Sequence, residues 1–130
     1  LLTETLDMLF EEEFNAGESF LFGFSQGSLL TFEFGARYHK VLAGYIAVSG
    51  YIYDASRLLR EMNAEAAVSN WLCTHGTEDN VLPFETSKEQ VELLQESGFD
   101  VAFKAYAKDH SIDREELAYV AAWMKKIIDK

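Results

Sequence analysis

Gly23-Phe24-Ser25-Gln26-Gly27 sets a serine between two glycines, directly after a short apolar run and directly before a helical pattern. In that position a G-x-S-x-G segment lifts a hydroxyl out of a tight strand-to-helix reversal. The reversal strains the serine backbone, and Gly23 and Gly27 are expected to remove side chains that would collide with the neighbouring strand and helix. A helix starting at Gln26 aims unpaired N–H groups at the same spot, so the Gln26 backbone can donate to a developing oxyanion. Taken alone, the pentapeptide matches a glycine-rich turn with an ordinary serine equally well, because short patterns recur by chance.

A serine hydroxyl is a weak nucleophile until an imidazole takes its proton, and the imidazole needs a carboxylate to fix its tautomer. Asp79, in the turn His75-Gly76-Thr77-Glu78-Asp79, and His110, in Lys108-Asp109-His110-Ser111, follow Ser25 in the order Ser, Asp, His. That order suits a strand–serine–helix arrangement in which each partner lies just past a later strand. Alternatives stand beside each residue. Asp79 fits a turn or helix cap, with Glu78 an equally charged rival, and His110 fits a surface loop. His39, among Arg37, Tyr38 and Lys40, reads as a contact to a helix end, and His75 reads as structural. Three histidines and one cysteine without a close-spaced pair make no zinc site.

These residues need elements to carry them. Ser19-Phe20-Leu21-Phe22, Gly44-Tyr45-Ile46-Ala47-Val48, Trp71-Leu72-Cys73 and Val101-Ala102-Phe103 are short apolar runs, the pattern of strands buried on both faces. An opening helix carries Leu2, Leu6, Leu9, Phe10 and Phe14 on one face and should stop at Gly17 through a positive φ. Ser28 to Tyr38 is apolar nearly all round, as in an enclosed helix. Further helices are expected from Phe84 to Ser97, with Gly98 as the stop, and from about Asp113 to the end. Strands alternating with helices predict an α/β protein with one parallel sheet and helices over both faces, a three-layer α/β/α arrangement formed by residues 1–130 as a single domain. The carboxyl ends of parallel strands share one edge, where Ser25, Asp79 and His110 can converge. The run Glu11-Glu12-Glu13 reads as a solvated helix end.

Composition narrows the partners. The chain is 48% hydrophobic with a single proline, which suits a packed fold rather than a disordered tail. A net charge of -11 disfavours nucleic acid, whose affinity is built largely from Lys and Arg. Cys73 is the only cysteine, which fits a reducing, cytoplasmic setting. No segment approaches the roughly 20 apolar residues of a transmembrane helix, and the start lacks the order of a signal peptide. The chain opens Leu1-Leu2-Thr3 without Met, so a preceding segment is expected.

Four blocks together resemble the carboxylesterase, lysophospholipase and acyl-protein thioesterase branch of the α/β-hydrolases: GFSQGS from Gly23, LAGYIAVSGY from Leu42, HGTEDNVLP from His75 and DHSI from Asp109. The resemblance implies a serine hydrolase of small or lipid carboxylic esters or thioesters. Ser25 would be the nucleophile, with Asp79 orienting His110 and Gln26 giving one oxyanion N–H. It also implies that Leu82 and Pro83 border the acyl site, and it implies no metal or organic cofactor. Family members usually place glycine before the histidine, whereas Asp109 stands here. They also place several strands, and the loop with the second oxyanion donor, before the nucleophile. The resemblance therefore implies that these residues form the carboxyl-terminal portion of the fold, that the strand at Phe20 to Phe22 would be an open edge, and that a further segment or second chain completes the sheet. A scaffold that binds ligand without turning it over, or that serves as an interaction module, is the alternative function.

Overall fold

The computed structural model describes residues 1–130. Four strands, β1 (Phe20–Phe24), β2 (Gly44–Val48), β3 (Asn70–Gly76) and β4 (Val101–Tyr106), form one all-parallel sheet in the order β1-β2-β3-β4. The helices are α1 (Leu2–Glu12), α2 (Gln26–Gly35), α3 (Ala55–Glu61), α4 (Ala64–Val68), α5 (Phe84–Glu96) and α6 (Arg114–Ile128).

Alternate residues of the central strands feed two cores, as the period of two requires. Tyr45 and Ala47 on β2, with Trp71 and Cys73 on β3, join Phe32, Leu58, Val91, Leu94 and Phe99 in a 16-residue cluster beneath α2, α3, α4 and α5. Ile46, Val48 and Leu72 face the other way and pack with Val120, Phe20, Phe24, Trp123 and Met124 beneath α6. This is the expected three-layer α/β/α arrangement. Trp71 anchors the larger core, stacked between Phe32 (5.5 Å) and Tyr45 (4.2 Å). Gly35 permits that stack, because a Cβ there would lie 2.6 Å from the Trp71 ring.

Where the structure departs from expectation, the cause is local. Gly17 does not stop α1 through a positive φ. The helix ends at Glu12, and residues Ala16–Glu18 form a 3-10 turn whose N–H at Gly17 is held by the Asn15 side chain at 2.8 Å. Gly98 does take the left-handed conformation, φ 88, behind α5. α2 ends at Gly35, short of Tyr38, and is not fully enclosed, since Leu30 is 62% exposed. β3 and β4 run past their apolar runs because Thr74, His75 and Gly76 pair with Lys104, Ala105 and Tyr106, so neighbouring strands satisfy the backbone where side chains turn polar. β1 is not buried on both faces: it lies at the sheet edge with one side unpaired, and Phe22 is 43% exposed. The short helices α3 and α4 are capped by Asp54 and Asn63, whose side chains accept from Arg57 and Ala66 N–H groups. No helix is long and apolar enough to cross a membrane.

Candidate active site

The carboxyl ends of β1, β3 and β4 bring Ser25, Asp79 and His110 together. Ser25 sits between β1 and α2 with φ 59 and ψ -114, one of two non-glycine residues with positive φ. Serine is a favoured helix N-cap, yet here its hydroxyl makes no cap bond and lies 2.9 Å from His110 Nε2. Its own N–H is held by Val48 carbonyl at 2.9 Å, which ties the reversal to β2. Gly23 is sterically required: a Cβ there would lie 2.1 Å from the Gly27 carbonyl oxygen and 2.4 Å from Thr31 Oγ1. Gly27 is different. A Cβ at that position would meet nothing within 4 Å, so the expectation of a collision there is corrected, and only the first glycine answers to packing. Gln26 opens α2, so its N–H has no carbonyl four residues back inside the helix and is left as a donor without an intrahelical acceptor.

Asp79 lies in the turn after β3 and is 7% exposed, while its rival Glu78 is exposed and contributes a backbone N–H to the Lys108 carbonyl at 3.0 Å. One Asp79 oxygen accepts from the N–H groups of Val81 (2.9 Å) and Leu82 (2.8 Å), and the other is 2.8 Å from His110 Nδ1. Burial is the strongest influence on this carboxyl and pushes its pKa up. The Leu82 N–H, the His110 ring and the Val81 N–H together outweigh it and hold Asp79 below the ordinary carboxylate range. An ionised carboxylate only accepts, so His110 Nδ1 carries the proton, Nε2 is the free acceptor, and the Ser25 hydroxyl donates to it. The Phe24 ring packs against the imidazole at 5.1 Å between centroids.

His75 stands behind Asp79 rather than in the chain of proton acceptors. Fully buried, it donates from Nε2 to the Leu82 carbonyl at 2.8 Å, and the same nitrogen lies 3.3 Å from Asp79. His39 makes no helix-end contact of the kind expected: its Nε2 is 2.7 Å from Asp7 on α1, which also accepts from Tyr38. Leu82 and Pro83 line no cavity. The role the structure gives Leu82 is through its backbone, which grips Asp79 and His75. Asp109 is exposed. No group of three or more His, Cys, Asp or Glu side chains is arranged to hold a metal ion.

Residues that the sequence reading passed over complete the setting. Gly76 allows the turn after β3 to meet the loop after β4, since a Cβ there would lie 2.2 Å from the Lys108 carbonyl oxygen. Lys108 is itself buried, with its ammonium 2.9 Å from Ser49 Oγ and 3.0 Å from Glu116. A lysine two residues before a histidine carries no signal in a single sequence. Asp113 and Glu116, spaced as a capping box, do.

The profile of the phospholipase/carboxylesterase family matches residues 1–128. The carboxylesterase SOBER1 of Arabidopsis thaliana is 34% identical over 122 residues, 93% of this chain and 54% of that protein. Its crystal structure superposes with a TM-score of 0.92 at 32% identity, covering 98% of this chain and 61% of that one. Acyl-protein thioesterase 1 of Gibberella zeae is 33% identical over 111 residues, 80% of this chain and 46% of that protein. A protein of Oryza sativa subsp. japonica named a probable inactive carboxylesterase is 28% identical over 117 residues, 89% of this chain and 48% of the relative. The chain thus spans about half the length of these curated relatives. With a family profile matched along nearly its whole length and a solved relative sharing its sheet and helices, the chain belongs to the phospholipase/carboxylesterase family of α/β hydrolases.

Proposed function

We propose that this chain carries the catalytic triad of a serine hydrolase acting on carboxylic esters or thioesters. One observation carries the reading: an unbroken proton path from Ser25 Oγ to His110 Nε2 (2.9 Å) and from His110 Nδ1 to Asp79 (2.8 Å). His110 removes the Ser25 proton as Oγ attacks the acyl carbon, and the Gln26 N–H stabilises the oxyanion. His110 then returns that proton to the departing alcohol or thiol, leaving an acyl-enzyme on Ser25. Water, deprotonated by the same imidazole, releases the acid, and the serine recovers its proton.

The free side of β1 and the exposed Phe22 beside it support the proposal that a further strand, from this polypeptide or another, pairs with β1 in the working protein. The substrates proposed are small or lipid esters and thioesters, by likeness to relatives named carboxylesterase and acyl-protein thioesterase. Nucleic acid remains disfavoured by the charge of -11. A cytoplasmic setting is proposed from the lone Cys73, which is buried and whose thiol burial pushes well above its ordinary pKa, so it is inert.

The test is labelling of the full polypeptide with a fluorophosphonate, alongside turnover of a series of aryl esters and thioesters. Label on Ser25, and turnover reduced on the order of 10⁵-fold in Ser25→Ala, is the expected result. The second reading, a scaffold that binds without turnover, draws on the relative named inactive and on Asp109 directly preceding His110 in the sequence. Unlabelled Ser25 together with ligand retention would establish it in place of the first.

A further inference from the structure

His110 sits in a loop of seven residues between β4 and α6, and loops of this kind are the mobile parts of a parallel-sheet protein. This one is closed by its own lysine. The Lys108 ammonium has three N–H donors and three acceptors around it: Ser49 Oγ at 2.9 Å, Glu116 Oε1 at 3.0 Å and the Ser111 carbonyl. Lys108 and Ser111 flank His110, so the side chain bridges from one side of the imidazole-bearing residue to the other. Its backbone also reaches the Asp79 turn, because the Lys108 carbonyl accepts from the Glu78 N–H at 3.0 Å. Ser49 directly follows Val48, whose carbonyl holds the Ser25 N–H, and it adopts a positive φ of 53. Lys108 is thus bonded to the segment behind each triad member.

The ion pair is an unusual choice for stability alone. Side-chain exposure is 5% for Lys108 and 0% for Glu116, so both charges are almost fully withdrawn from water. Such pairs commonly add little over a well-packed apolar pair of the same shape, because the desolvation cost offsets the attraction. What an ammonium offers that a methyl group does not is direction, with three acceptors fixed from three different segments. Glu116 is fixed in turn, since its Oε1 also accepts from the Asp113 N–H at 3.1 Å in the cap of α6.

We infer that Lys108, held by Glu116, is a positioning residue that fixes the His110 imidazole between Ser25 and Asp79. The inference rests on the hydrolase reading for its kinetic consequence and on geometry for the placement itself. Lys108→Met alone would leave Glu116 as an unpaired buried charge and could unfold the protein. The decisive variant is therefore Lys108→Met with Glu116→Gln in the full polypeptide, which removes both charges and keeps an acceptor for the α6 cap. The expected result is a retained fold by circular dichroism and a kcat about 10- to 100-fold lower, as for a reacting group displaced by roughly 1 Å. KM should stay within about twofold, because substrate contacts are untouched. The downfield proton resonance of His110 Nδ1–H, sharp in the parent through its bond to Asp79, should broaden or vanish. Unchanged kcat with an unchanged resonance overturns the inference. So does loss of the fold in the double variant, which would make the pair a stability element. If the parent turns over no ester and takes no phosphonate, the hydrolase reading fails, and the ring-proton resonance in parent and variant still decides the placement.

Discussion

The two residues that meet at 2.9 Å in the site are held by opposite means. Ser25 is fixed by backbone sterics: a positive φ, a glycine two residues earlier with no room for a methyl group, and a main-chain bond to β2. His110 is fixed by side chains, through Asp79 on one nitrogen, Phe24 on its face and Lys108 across its loop. Ser25 therefore has almost no freedom to relax. His110 can turn when one partner changes. That division suits the proposed chemistry, because the imidazole must serve first the serine and then the leaving group or water, whereas the serine need only stay in place.

The comparison can be tested from both sides. Asp79→Asn should leave the fold intact and lower kcat on the order of 10⁴-fold, because an amide can no longer select the tautomer with Nε2 free; steady-state kinetics and thermal melts on one preparation check both halves. If kcat fell less than tenfold, the side-chain account of His110 would be wrong. The same variant carries a pH signature. Asp79 titrates lower folded than unfolded, so its stabilising contribution is complete above its unfolded pKa of about 4 and is lost as pH falls through the depressed folded value. The melting temperature of the parent should thus fall more steeply below about pH 4 than that of Asp79→Asn.

On the backbone side, Gly23→Ala should destabilise by about 3 kcal/mol or more, since the new methyl would strike main chain that cannot step aside. Gly27→Ala should change stability by less than about 0.5 kcal/mol, the ordinary range for an open site. Equal effects in chemical denaturation would dissolve the distinction between the two glycines. Between these two in size lies the α6 cap: Asp113→Ala removes it and should cost about 1 kcal/mol, with a modest loss of kcat through Glu116.

The same division governs what the sequence reading could reach. Strand-turn-helix punctuation around Ser25 is local, and so is the order of Asp79 and His110 behind two apolar runs; the structure joins the three as that order requires. Gly98 was legible for the same reason. Gly17 and Gly27 misled because the residue type says that a tight conformation or close approach is allowed, and neither position uses it. His39 misled because Asp7, its partner, is 32 residues earlier on another helix. The Lys108–Glu116 pair and the choice of Asp79 over Glu78 depend on burial by distant strands, which adjacent residues do not encode. The ends of β3 and β4 escaped notice because ladder bonds, not apolar side chains, extend them.

The sheet order β1-β2-β3-β4 is also the order of synthesis. A ribosome releases the chain from its amino end at about 5–20 residues per second, so each strand emerges with its neighbour already available. The serine reversal is made before His110, and α6, which seats Glu116 beside Lys108, is made after both. On the proposed chemistry, Ser25 would wait without its base for the seconds that separate its synthesis from that of His110, and would stay unreactive toward surrounding esters until His110 and α6 had emerged.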